Sequence, residues 1–230
     1  MKTLGIVGGI GPESTVDYYR SLLRIWREQT QDGSSPSILI NSIDLKKLLD
    51  MVAANELSAL TVYLSEEMEK LARAGADAGL FASNTPHIVY DEVQRRSSIP
   101  LISIVEATCQ VAQERGFRRL VLLGHRYTMQ GHFYHEVFSK AGITLVVPDG
   151  SEQTYIHDKY MNEMVKGVFL PETRERLLAI TDRLAKQEGA QGVILGGTEL
   201  PLILRDAKCS IPFLDTAQIH VKAALKRLSS

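Results

Sequence analysis

The stretch Ala74-Gly75-Ala76-Asp77-Ala78-Gly79-Leu80-Phe81-Ala82-Ser83-Asn84-Thr85 recurs further along the chain as Glu188-Gly189-Ala190-Gln191-Gly192-Val193-Ile194-Leu195-Gly196-Gly197-Thr198-Glu199. In both copies a glycine follows a helical pattern, a short apolar run follows the glycine, and small polar residues close the run. That is the pattern of a helix, a buried parallel strand and a turn. Ser83 and Gly197 hold matching places, 114 residues apart. Leu4-Gly5-Ile6-Val7-Gly8 returns as Leu120-Val121-Leu122-Leu123-Gly124 at an offset of 116, and Ser98-Ile99-Pro100-Leu101-Ile102 as Ser210-Ile211-Pro212-Phe213-Leu214 at 112. Three echoes in one order, with offsets drifting by only 4 residues, are the mark of an internal duplication.

Outward from these segments, apolar runs alternate with longer amphipathic ones, as in stacked βα units. Strands are expected at 4–8, 37–41, 78–82, 101–104, 120–124, 143–147, 192–196 and 213–214. Leu57, Leu60, Leu64, Met68 and Leu71 step by 3 or 4 and predict a helix running toward Gly75. Leu177, Ile180 and Leu184 predict another that closes before Gly189. The expected fold class is therefore α/β: two pseudo-symmetric, doubly wound domains with mainly parallel sheets. The first comprises residues 1–103 together with 212–230, the second 104–211. Ligands of open parallel sheets bind beyond the carboxyl ends of the strands. The two halves are thus expected to face one another across an active-site cleft, with residues 83–85 and 197–199 on either side. Backbone N–H groups and hydroxyls in such turns suit a small carboxylate.

Composition narrows the partners. The 230 residues carry 26 Lys+Arg against 27 Asp+Glu, a net charge of −1, which argues against nucleic acid or an acidic membrane surface as a partner. Apolar residues make up 44% and charged residues 23%, the balance of a folded globular chain rather than a disordered one. No apolar stretch approaches the roughly 20 residues of a membrane helix. The start reads as strand and turn rather than signal peptide, and the expected location is cytoplasmic. Two cysteines, Cys109 and Cys209, make neither a disulfide framework nor a zinc site.

Gly5-Ile6-Val7-Gly8-Gly9-Ile10-Gly11-Pro12-Glu13-Ser14-Thr15 has the look of a nucleotide loop, but Ser14 stands where the dinucleotide fingerprint needs glycine, and there is no Gly-Lys-Ser/Thr triplet. It reads either as a tight strand-to-helix turn or as a border of the cleft. His132 and His135 lack the further ligand a metal site requires, and they read as surface or packing residues. His87, directly after Ser83-Asn84-Thr85-Pro86, and His220, after the last strand, read either as proton carriers or as structural residues.

Five blocks together resemble the aspartate/glutamate racemase superfamily, in its cofactor-independent amino-acid racemase branch. They are Gly8 to Thr15, Ser83-Asn84-Thr85-Pro86-His87, Leu123-Gly124-His125-Arg126-Tyr127-Thr128-Met129, Leu195 to Leu202 and Asp215 to His220. The resemblance implies a substrate held between two α/β domains, no pyridoxal phosphate, no other cofactor, no metal and a homodimer. The substrate is an amino acid or dicarboxylate, with aspartate or glutamate foremost. Chemistry in this superfamily needs two acid/base groups on opposite faces of the α-carbon, usually cysteines, at positions matching Ser83 and Gly197. A related branch has threonine at the first position. A serine hydroxyl is a far weaker base than a thiolate, and a glycine transfers nothing.

The same resemblance implies substrate contacts from Gly9, Asn84, Thr85, Thr128, Lys166, Thr198 and Glu199. Where the superfamily has a substrate-binding arginine, this chain has Lys46 and Lys47. Cys109, inside a helical stretch, and Cys209, ahead of the last strand, cannot replace the missing pair. Three functions stay open: a racemase working by two-base α-proton transfer, a one-base isomerase or lyase using Ser83, His87 or Glu199, and a carboxylate-binding module without turnover.

Overall fold

The computed structural model describes residues 2–229 and divides into two units, Met1–Ile104 with His220–Ser230 and Val105–Ile219. The first opens with β1 (Thr3–Gly8), α1 (Pro12–Thr30), β2 (Ser37–Ser42), α2 (Leu45–Ala53), α3 (Leu57–Arg73) and β3 (Ala78–Phe81). A 3-10 turn (Thr85–Val89) and α4 (Tyr90–Arg96) follow. The strands lie in the order β2-β1-β3, all parallel. β1 is in the middle because Leu4, Ile6 and Val7 are apolar without a polar alternate and are wholly buried. The predicted stripe forms the inner face of α3: Leu60, Leu64 and Met68 are fully buried, each worth about 1.5–3 kcal/mol of transfer free energy. Leu57, at the helix start, is exposed.

The second unit contains α5 (Ile104–Glu114), β4 (Arg119–Leu123), α6 (Arg126–Met129), α7 (His132–Lys140), β5 (Thr144–Val146) and α8 (Gly150–Asn162). After a 3-10 turn (Met164–Lys166) come α9 (Pro171–Glu188), β6 (Val193–Leu195), α10 (Leu200–Leu204) and β7 (Phe213–Asp215). The strand order is β5-β4-β6-β7, again parallel throughout. The helix α11 (Thr216–Ser229) carries the chain onward from β7. α9 ends where the sequence places its stop, at Gly189 in the left-handed conformation with φ 64°. Among the described residues no helix is long and apolar enough to cross a membrane.

The duplication is visible bond by bond. Asp77 donates its N–H to the Thr3 carbonyl (2.8 Å) and accepts the Thr3 N–H on its side chain (2.6 Å). Gln191 repeats both bonds with Arg119, at 2.9 and 3.2 Å. The strand ends also match, Ala82 N–H to Val7 O (2.9 Å) and Gly196 N–H to Leu123 O (2.7 Å).

Two expectations need correction. The strand predicted at 101–104 is reduced to one bridge between Gly79 and Leu101, and Ile104 already belongs to α5. Side chains have taken the backbone groups that a longer ladder would use. The Ile102 carbonyl goes to the His220 ring (2.8 Å) and the Ile104 N–H to the His87 ring (3.2 Å). The return to the first unit also lies later than residue 212. β7 pairs with β6, and the Thr216 hydroxyl donates to the Leu195 carbonyl (2.7 Å), so 212–219 pack with the second unit.

Candidate functional site

In the first unit the site grows from the carboxyl ends of β1 and β3, adjacent parallel strands that finish at the same sheet edge. Ser83, Asn84 and Thr85 leave β3 and are buried, at 5%, 1% and 4% exposure. Burying three polar side chains in a row costs free energy unless they have polar neighbours to meet. The chain then enters the 3-10 turn through Pro86. Gly9 leaves β1 with φ +84°, and an added Cβ would lie 2.3 Å from the Ile43 carbonyl, so only glycine fits. Its N–H already donates to the Thr15 hydroxyl (2.9 Å), so that group is not on offer to a ligand.

His220 is tied into the fold through both ring nitrogens, and His87 through one. The His87 ring stacks on Tyr90 at 4.9 Å and accepts the Ile104 N–H at Nε2. Burial, and then the neighbouring His220, pull its pKa down to about 3. His220 donates from Nε2 to the Ile102 carbonyl (2.8 Å), which leaves Nδ1 to accept from the Tyr18 hydroxyl (2.9 Å). Burial pulls its pKa to about 4. Both rings are neutral at pH 7; His220 is bonded at both nitrogens, whereas the His87 Nδ1 has no hydrogen-bond partner among the described residues. Lys46, exposed, pairs with Asp50 (2.6 Å), and Lys47 lies 4.0 Å over the Tyr63 ring.

In the second unit the matching turn is Gly197-Thr198-Glu199, again followed by a short helix with a proline in its first turn, Pro201 in α10. Thr198 and Glu199 are each 1% exposed. The Thr198 hydroxyl donates to Glu199 Oε2 (3.2 Å). The same oxygen accepts a hydrogen bond from the Tyr160 hydroxyl. A Cβ added to Gly197 would sit 2.5 Å from Tyr160 Cε2 and 2.8 Å from its hydroxyl oxygen. The phenol therefore fills the volume that a side chain at 197 would take. Burial, and then the negative charge of Glu199, hold the phenol proton well above the ordinary tyrosine range.

α8 fixes that phenol. Asp149 caps its start, accepting from the Ser151 (2.9 Å) and Glu152 (3.0 Å) N–H groups. Glu152, Ile156 and Tyr160 recur every fourth residue on the buried face, and Arg183 of α9 holds Glu152 through two hydrogen bonds. The His125 ring meets Tyr160 at 5.3 Å, and burial pulls its pKa down to about 3. Thr128, fully buried in α6, packs beneath the turn: an added Cβ at Gly196 would lie 3.0 Å from its methyl carbon. Among the described residues its buried hydroxyl has no hydrogen-bond partner.

Lys166 is exposed in the 3-10 turn after α8, and the structure gives it no contact with the Gly197 turn. Cys109 is buried in α5 and Cys209 is partly buried ahead of β7, and burial raises both thiols. The Cys109 thiol faces the Val137 carbonyl (3.9 Å) and the Cys209 thiol the Asp182 carboxylate (3.8 Å). The residue that sequence reasoning missed is Tyr160. It lies outside every duplicated block, and only its four-residue phase with Ile156 signals an inward side chain.

Two duplicated parallel-sheet units, each with a buried polar turn at matching strand ends, define the class of a two-domain α/β protein that presents one turn from each half. Residues 7–224 match the family model for Asp/Glu/Hydantoin racemase. The chain is 34% identical to an aspartate racemase homologue from Pyrococcus horikoshii OT3, with all of both chains covered and a TM-score of 0.86. It is 29% identical, at full coverage and a TM-score of 0.90, to a Yersinia pestis protein assigned to the Asp/Glu racemases. A curated relative, the broad specificity amino-acid racemase RacX of Bacillus subtilis (strain 168), is 24% identical over 96% of each chain. The protein belongs to the Asp/Glu/Hydantoin racemase family, and with it to the amino-acid racemases.

Proposed function

We propose that this enzyme moves the α-proton of a small amino acid, aspartate or glutamate foremost, without pyridoxal phosphate, and returns a proton to the opposite face. The observation that carries this reading is the pair of equivalent turns. Ser83-Asn84-Thr85 and Gly197-Thr198-Glu199 leave matching strands, are almost wholly buried, and present hydroxyl and carboxylate chemistry. In this reading both turns serve the substrate. Asn84, Thr85, Thr198 and the unpartnered Thr128 hydroxyl hold its polar groups, and Ser83 serves one face of the α-carbon. The working assembly is a cytoplasmic homodimer, as the resemblance to the racemases implies. The curated Bacillus relative is named for broad specificity, which makes neutral amino acids the second substrates to assay.

The test is proton NMR of L- and D-aspartate, L- and D-glutamate and L-alanine with enzyme in D2O, with chiral chromatography of the same samples. Loss of the α-proton signal together with appearance of the other enantiomer is expected for at least one acidic substrate. No exchange with any of them overturns the proposal. Consumption without an enantiomer as product would make the enzyme a lyase.

A further inference from the structure

The second half lacks the side chain that its duplicate supplies. Ser83 ends β3 with a hydroxyl, and Gly197, its counterpart, ends β6 with a hydrogen atom. Yet the space beside Gly197 is not void of proton chemistry. The Tyr160 hydroxyl oxygen lies 2.8 Å from where a Cβ at 197 would be, on a helix remote in sequence from the turn. That hydroxyl donates to Glu199 two residues further on, and Thr198 donates to the same carboxylate oxygen. All three are buried, with Tyr160 at 5% exposure and Thr198 and Glu199 at 1%. A carboxylate that accepts a phenol proton at a site shielded from water is the arrangement that turns a hydroxyl into a base.

We infer that the Tyr160–Glu199 hydrogen-bonded pair is the acid/base group of the second half, replacing in space the side chain that Gly197 does not have. The inference rests on the proposed racemase reading and deepens it. In the forward step the phenolic oxygen takes the α-proton as its own proton passes to Glu199. The Cα–H bond breaks and a new O–H bond forms on Tyr160. The original Tyr160 O–H bond breaks and one forms on the Glu199 carboxylate. The electron pair of the C–H bond stays on the substrate as a carbanion, delocalised into its carboxylate. The negative charge that Glu199 held has moved to the substrate, and no oxidant or further reactant is required. The reverse step returns a proton to the same face. Tyr160 touches the reacting carbon and is the catalytic group; Glu199 acts through it. The high proton affinity of the phenol fits this direction, since a hydroxyl that keeps its proton never leaves two negative charges side by side.

Tyr160→Phe keeps the ring that fills the space at 197 and removes only the hydroxyl. The expected result, with L- and D-aspartate and L- and D-glutamate in D2O, is a fall of at least about 10²-fold in kcat for α-proton exchange of the enantiomer whose proton faces this pair, with KM within about threefold of wild type. Glu199→Gln is expected to do the same. The double variant Tyr160→Phe/Glu199→Gln, which also removes any penalty of a carboxylate that has lost a donor, is expected to be no slower than either single one, because the two residues act as one unit. Circular dichroism and urea midpoints confirm that each variant is folded. Exchange within threefold of wild type in folded Tyr160→Phe overturns the inference and leaves the racemase reading standing. Losses that multiply in the double variant overturn it as well, since independent packing roles would add. Absence of exchange in the wild-type enzyme overturns both.

Discussion

At Gly197 the absent side chain decides what the residue can tolerate. A Cβ there would lie 2.5 Å from a ring carbon of Tyr160, inside any normal contact distance, and the ring is held by the hydrogen bond to Glu199 and by its place on α8. Gly197→Ala is therefore expected to cost about 1–3 kcal/mol, the usual penalty of overpacking a filled core, read as a lower urea midpoint with unchanged slope. Removing the ring should relieve it: the same alanine made in a Tyr160→Ala background should cost less by about 1 kcal/mol or more. Equal penalties in both backgrounds would show that the ring is not what fills the space. By the same argument Gly197→Cys does not simply add a thiol, since the cysteine must first displace the phenol. The sequence shows that residue 197 carries no side chain; it could not show what fills the space beside it. Tyr160 and Gly197 are 37 residues apart with no shared motif, and their contact depends on how α8 packs.

Among the elements, the histidines that looked like proton carriers turn out to bind segments together. His220 on α11 ties the Tyr18 hydroxyl of α1 to the Ile102 carbonyl, and His87 holds the start of α5 through the Ile104 N–H. Position after a strand end made them legible as candidates; only the partners of their ring nitrogens reveal the role. Each is neutral when folded, with a pKa of about 3 for His87 and about 4 for His220, against 6.5 for a free histidine. As pH falls below 6.5 the unfolded chain binds the protons first. Stability is therefore flat above about pH 7 and falls between about 6.5 and 4, by roughly 1.4 kcal/mol per pH unit for each ring. Urea midpoints at pH 7.5, 6 and 5 measure it, and a midpoint that does not move over that range refutes the assignment. His220→Gln, whose amide can still donate to Ile102 and accept from Tyr18, should flatten the slope by one ring's share. The helices themselves were readable where an apolar stripe met a stop signal, as in α3 and α9. The expected strand at 101–104 was not, because His220 and His87 claim the Ile102 carbonyl and the Ile104 N–H from elsewhere in the chain.

For the molecule as a whole, the doubling that three sequence echoes announced survives as matched hydrogen bonds, but the chemistry of the two halves has drifted apart. In the proposed reading one half supplies the hydroxyl of Ser83 and the other a phenol backed by a carboxylate. Thermodynamics limits how that inequality can show itself. Two enantiomers have equal free energy, so kcat/KM for racemisation must be the same from either side, whatever the two groups are. Exchange without inversion is under no such constraint. In the proposed reading, a proton taken by Tyr160–Glu199 that exchanges with solvent during the lifetime of the carbanion is returned as deuterium to the face it left whenever delivery from the Ser83 side is slower. The enantiomer that presents its α-proton to the pair should therefore incorporate deuterium several times before it inverts, while its mirror image should invert with little prior exchange. Ser83→Ala sharpens the contrast: exchange of the first enantiomer continues within about threefold, and inversion drops by about 10²-fold or more. The ratio of deuterium uptake to inversion, followed by NMR and chiral chromatography from each pure enantiomer, measures the asymmetry directly. Equal ratios from the two enantiomers would mean that the halves, however unlike their residues, still act as equals.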